Sequence, residues 1–289
     1  MKRAVGMSLG TPHLNEQFFE EMMKNGLSAA EISVGHPWCD TLDMAAIKKA
    51  ADNTGFCLWS YHLPFCPFEK IDPSSLDAKL RADTVEYFRS LIEKVSSFGI
   101  KRFVVHGSAE PIEDETRADR LAASADSLSR LAETARACGA VIAVEDLPRS
   151  CLGNHHSDIL KLIGEDPTLG VCFDTNHLLS EPGEEFLCAV GKRLVTVHVS
   201  DFDYINERHW LPGEGKINWN TLMDALDEVG YEGAFIYEMP LGSTNYIKRE
   251  RELTPADFYR NAKELHSRSP ITRLDTPIPN LGMWGPKKD

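Results

Sequence analysis

Short apolar runs recur along this chain, and each ends on an ionisable residue just before helical spacing begins. CLWSYH ends at His62, RFVVH at His106, VIAVE at Glu145, VCFD at Asp174, LVTVH at His198 and AFIYE at Glu238. Runs of this length, bounded by turn formers, suit strands buried on both faces, where a charge is tolerated only as the chain leaves the core. Successive ends lie 44, 39, 29, 24 and 40 residues apart. Those separations bracket the roughly 31 residues of one strand-helix unit in an eight-fold barrel of about 250 residues. Strand C-termini of such a barrel open on one mouth, so the six end residues would share it.

The same reading predicts strands at 3–8 and 30–34 ahead of these six, with helices between them at 14–25, 42–53, 76–98, 115–137, 157–163, 182–191, 218–229 and 255–267. Phe18, Phe19, Met22 and Met23 mark the core face of the first helix. Gly55, Gly99 and Gly139 sit where helices should stop. Ser157 and Asn218 are read as N-caps, and Thr254-Pro255 opens the last helix. The fold class is therefore α/β: a single (β/α)8 TIM barrel over 1–268, followed by an irregular C-terminal tail over 269–289. The tail, with Pro270, Pro277, Pro279 and Pro286, is expected to pack as a strap on the barrel or on a partner subunit.

Composition fits one globular domain: 289 residues, 42% hydrophobic and 26% charged, with no Pro/Gly/Ser-rich linker. The net charge of −13 argues against a nucleic-acid partner, whose affinity would come from neutralising phosphates. Seven cysteines without C-x-x-C spacing read as buried thiols of a reducing, cytoplasmic setting. No apolar run approaches 18 residues, so no membrane span is expected. Trp284 and the Pro-rich tail would either line a homo-oligomer contact or close the barrel.

Glu145, Asp174, His198 and Glu238 offer carboxylates and an imidazole, a mixed donor set suited to Mn, Zn, Co, Fe or Mg. Without a cation such neighbours would repel one another. PGEG (212–215) lacks the spacing of a phosphate-binding loop and is read as a tight turn, and no nucleotide fingerprint is present. His62 and His106 are candidates either for metal ligation or for hydrogen bonding to substrate at the rim. Arg208 and His209, in the polar insertion after strand seven, would belong to a lid that reads hydroxyls or a phosphate. If 207–209 is extended, Glu207 and His209 point one way and Arg208 the other. His155 and His156 read as exposed loop residues.

The motifs VVHGS, VEDLP, FDTNH, HVSD, ERHWLPGEG and YEM follow in order from strand four to strand eight. By them the chain resembles the xylose-isomerase-like barrel superfamily, which unites sugar isomerases and epimerases with the endonuclease IV family of apurinic-site endonucleases. Likeness to the ketose 3-epimerase branch implies that Glu145, Asp174, His198 and Glu238 hold one divalent metal, with His177 beside the substrate. Likeness to endonuclease IV implies more ligands, adding His62, His106, His177, Glu207 and His209. At Glu207 that family would carry aspartate, and WLPGEG replaces its asparagine-containing turn.

Two functions follow. The first is a divalent-metal-dependent (Mn, Zn, Co or Mg) isomerase or epimerase of a small carbohydrate, proceeding through a metal-stabilised enediolate. In it Glu145 and Glu238 would exchange the α-proton, and His62, His106, His177, Arg208 and His209 would contact substrate. The alternative is a multi-metal phosphodiester hydrolase of the endonuclease IV type. The missing basic, aromatic-interleaved loop speaks against it.

Overall fold

The computed structural model describes residues 1–286. Its strands are β1 (Val5–Leu9), β2 (Ala29–Ser33), β3 (Cys57–His62), β4 (Arg102–His106), β5 (Val141–Glu145), β6 (Leu169–Asp174), β7 (Leu194–Val199) and β8 (Phe235–Tyr237). They pair in parallel in sequence order, and β8 returns to β1 to close the barrel. Around it run α1 (Glu16–Lys24), α2 (Met44–Thr54), α3 (Ala78–Ser96), α4 (Asp114–Ala137), α5 (His156–Ile163), α6 (Gly183–Val190), α7 (Trp219–Glu228) and α8 (Pro255–Ser267). The expected (β/α)8 TIM barrel is the fold found, with boundaries moved by one to a few residues.

Local chemistry explains where the helices begin. Asn15, Asp43, Asp77 and Asn218 each accept a first-turn backbone N–H, and Gly55 closes α2 in the left-handed region. Ser157 does not cap α5. The ring of His155 takes that place, accepting from the Ser157 N–H. Outside the barrel, helix faces pack through pairs such as Phe186 of α6 on Phe173 of β6 and Phe19 of α1 on Phe56 just before β3. Inside, a separate layer of Val104, Ala143 and Cys172 lies beneath the mouth. Register then sets His106 beside Glu145 and Asp174 beside His198 on neighbouring strands.

The segment after α8 is less irregular than expected. Thr276–Pro277 pairs with Ile247–Lys248, and Leu281–Gly282 pairs with Gly285–Pro286. Buried Arg249 joins Asp275 of this segment to Glu214 of the β7–α7 insertion. The cysteines also depart from expectation: Cys39, Cys151 and Cys172 are buried, Cys138 is half-buried, and Cys57, Cys66 and Cys188 are exposed. Cys57 opens β3 and Cys188 lies on α6, whereas Cys66 sits in the loop between β3 and α3. Among the described residues, no helix is long and apolar enough to cross a membrane.

Candidate active site

Four side chains from four successive strands, β5 to β8, converge at the barrel mouth. Nδ1 of His198 lies 2.8 Å from Oε1 of Glu145, 3.0 Å from Oε2 of Glu238 and 3.9 Å from Oδ2 of Asp174. One donor atom from each of these residues falls within 4.8 Å of the others. Asp174 spends Oδ1 on the Asn176 N–H, while Oδ2 is buried without a hydrogen-bond partner. A buried carboxylate oxygen left bare is costly. Three carboxylates, one imidazole and this bare oxygen fit a divalent cation.

The charges of the four groups depend on one another. Burial, with Glu238 and Glu145 nearby, pushes the Asp174 carboxyl well above the usual range. Burial opposes ionisation of Glu145 as well, but His198 and the hydrogen bonds from His106, His198 and His62 outweigh it and hold that carboxyl well below. His198 is raised despite its burial, because Cys172 and the carboxylates of Glu238, Glu31 and Glu145 surround it.

Glu145 joins this group to a second one. Its Oε2 lies 3.1 Å from Nε2 of both His62 and His106, and the three residues also fall within 4.8 Å of one another. The two rings stand edge to face, and Phe65 stacks on His106.

Above these residues lies a cavity of about 420 Å³. Glu145, His62, His106 and His177 reach its floor, and Glu238 enters from the side with 23% of its side chain open. Ser8, Ser33, Ser108, Glu110, Arg149, Glu207 and His209 supply polar walls, and Phe65, Phe68, Leu147, Pro148, Met239 and Pro240 an apolar rim. His177 sends Nδ1 to the Asp146 carbonyl at 2.8 Å, which turns Nε2 towards Glu207 (3.4 Å) and Asp174 (3.7 Å).

The β7–α7 insertion is organised by Asp201. This buried carboxylate accepts from the N–H groups of Phe202, Gly213 and Ile217 and from the Trp219 indole. Gly215 runs so close that a Cβ there would lie 2.2 Å from Asp201 Oδ1, which accounts for the PGEG turn. Glu207 and His209 do line the cavity. Arg208, expected to read substrate, does not: its side chain is fully buried, donating to Asp203 and to the carbonyls of Gly282 and Met283. A third ligand group of His177, Glu207 and His209 does not form among the described residues. Glu207 instead leans on Arg149 at 3.2 Å, and Nδ1 of His209 faces the Glu238 carbonyl at 3.0 Å. His155 and His156 are partly open and close on Glu181 outside this cavity.

Sequence reasoning missed Glu31. It sits in mid-strand in AAEIS, fully buried, and its Oε1 lies 3.0 Å from Nε2 of His198. The available signal was a lone carboxylate inside an apolar run rather than at its end.

The chain is 29% identical over 181 residues to an uncharacterized protein of Methanocaldococcus jannaschii, covering 60% of this chain and 62% of that one. It thus spans about three fifths of the length of that relative. A D-psicose 3-epimerase of Agrobacterium fabrum is 25% identical over 76% of this chain and 78% of its own. Among solved structures, a D-tagatose 3-epimerase-like protein superposes with a TM-score of 0.74 at 22% identity, covering 91% of this chain and 97% of the other. The family described as Xylose isomerase-like TIM barrel matches residues 19–259, from the first helix to the last. With the closed eight-stranded barrel and the carboxylates and histidines at its mouth, that match makes this chain a member of the xylose isomerase-like TIM barrel family.

Proposed function

We propose that this chain is a divalent-metal-dependent isomerase or epimerase of a small, unphosphorylated carbohydrate. The observation that carries the reading is the convergence of Glu145, Asp174, His198 and Glu238, with Asp174 Oδ2 bare, beside a cavity with polar walls and an apolar rim. The D-psicose 3-epimerase relative supports the sugar class. A cation held by those four residues would polarise a substrate carbonyl and so acidify the neighbouring C–H.

The remaining work falls to the chain's own groups. Glu238, the most open of the four, takes the α-proton from one face. Glu145, whose Oε2 lies between His62 and His106, would deliver a different, solvent-derived proton from the other face, and exchange with water would return both carboxyls to their starting states. His106 and His177 line the floor and orient substrate hydroxyls, and His209 does so from the wall. Phe65 and Phe68 shield the rim from water. Arg149 is the arginine that lines the cavity, and Glu110 and Glu207 already occupy it. A phosphate would have to displace both, so uncharged substrates suit the site. A cytoplasmic setting fits the seven unpaired cysteines, and Trp284, 71% exposed, offers a homo-oligomer contact.

The second candidate ligand group, His62, His106 and Glu145, is the feature that favours the phosphodiesterase alternative. The scattered His177, Glu207 and His209 weigh against it. The deciding experiment incubates the Mn²⁺-loaded chain with ketoses, keto-glycosides and inososes in D₂O. Deuterium entering beside the carbonyl of an isomerised product is expected. Inertness towards the whole panel, with cleavage of abasic DNA, would overturn the assignment.

A further inference from the structure

Glu31 points into the barrel lumen behind the ligand cluster and does not reach the cavity. Ser60 Oγ donates to its Oε2 at 2.8 Å, and Ser8 Oγ donates to its Oε1 at 3.2 Å. The ring of His198 stands between two acidic groups: Nε2 is 3.0 Å from Glu31 Oε1, and Nδ1 faces Glu145 and Glu238. The Nε2–H axis is not aligned on Oε1 as a hydrogen bond, so the attraction at this distance is chiefly electrostatic. A carboxylate buried this deeply needs polar partners, and besides the two serine hydroxyls the ring of His198 is the group that Glu31 touches.

A neutral imidazole has one N–H and one lone pair, and its surroundings choose which nitrogen carries which. A carboxylate behind the ring favours the proton on that side, and a histidine ligand commonly uses such a partner to fix its tautomer. We propose that Glu31 is a positioning residue that keeps the His198 proton on Nε2 and presents the Nδ1 lone pair to the divalent cation. This rests on the reading that Glu145, Asp174, His198 and Glu238 hold that cation. Glu31 touches no substrate, so its effect reaches catalysis only through the orientation and basicity of His198.

Glu31→Gln in the full chain tests it, since the amide keeps the shape and can still meet Ser8 and Ser60 but lacks the charge. Calorimetric titration of metal-stripped protein with Mn²⁺ should show a Kd weakened by about 10- to 100-fold, partly restored in Glu31→Asp. Histidine-selective ¹⁵N NMR of the Zn²⁺-loaded wild type should show the His198 proton on Nε2 and the metal on Nδ1, and needs no variant to fold. Wild-type Mn²⁺ affinity in Glu31→Gln, or a proton-free Nε2, would sink the role of Glu31 while leaving the ligand set standing. A wild type that binds neither Mn²⁺ nor Zn²⁺ would instead remove the ligand set, and this role with it.

Discussion

Arg149 and Glu110 face each other as a two-pronged ion pair across the barrel mouth, with Nη2 donating to Oε2 at 2.7 Å. Nη1 of the same guanidinium donates to Asn206 at 2.6 Å and lies 3.2 Å from Glu207. One side chain, on a backbone turned to a φ of +53°, thereby ties the loops after β4, β5 and β7 together. Arg149→Met leaves two carboxylates facing each other without their partner. Urea melts are expected to show a loss of about 1–3 kcal/mol, and KM for the carbohydrate substrate should rise more than kcat falls. An unchanged KM would mean that the pair braces the loops without shaping the pocket.

Glu238 combines proximity to His198 with access to the cavity. Burial opposes its ionisation, but His198 holds its carboxyl below the usual range, so it is ionised and ready to accept a proton at neutral pH. Glu238→Gln, assayed at saturating metal, should lower kcat by at least about 100-fold with the barrel still folded. A variant that keeps full turnover would take Glu238 out of proton transfer.

Asp174 gives an unusual signature. Its bare Oδ2 is buried beside Glu238 and Glu145, and burial, reinforced by those neighbours, already pushes its carboxyl towards the neutral form. Asp174→Asn removes the cost of keeping this carboxyl protonated in the folded state, so the metal-free protein should become more stable at pH 7 by about 1 kcal/mol. Its Mn²⁺ affinity should meanwhile fall by at least about 100-fold, because even supporting residues around a metal are worth 10- to 100-fold. Thermal melts with and without Mn²⁺ read both effects. A variant destabilised without metal and stabilised by Mn²⁺ as strongly as the wild type would refute the crowding argument.

The difference between Glu145 and Glu31 shows what the sequence makes legible. Glu145 closes an apolar run, and strand-end position in a barrel translates directly into a place at the mouth. Glu31 interrupts a run, and nothing local says that its partner is a histidine five strands later in sequence, three strands away around the closed barrel. Arg208 illustrates the opposite error. A polar loop residue between Glu207 and His209 was expected to face substrate or a phosphate, but its direction is set by Asp203 and by carbonyls some 75 residues downstream. Glu207 and His209 both line the cavity, but the extended alternation expected for 207–209 is not what is found, since His209 is left-handed with φ +50°.

Far from the site, Asp257 offers a test of the fold alone. At the start of α8 its Oδ2 accepts from the Thr254 N–H and hydroxyl, each at 2.9 Å, and Arg251 grips both oxygens. Burial opposes its charge, yet Arg251 and Thr254 prevail and hold the carboxyl below the ordinary aspartate value. A carboxyl whose folded value is depressed adds stability above the unfolded value of about 3.9. That contribution is lost as pH falls through the folded value. Asp257→Asn should therefore be less stable than the wild type by about 1 kcal/mol at pH 7. The gap should narrow below about pH 4 as the wild-type carboxyl takes up its proton. Paired urea melts at neutral and acid pH measure that gap, and one that stays constant would mean that helix capping by shape, not charge, sets the stability of α8.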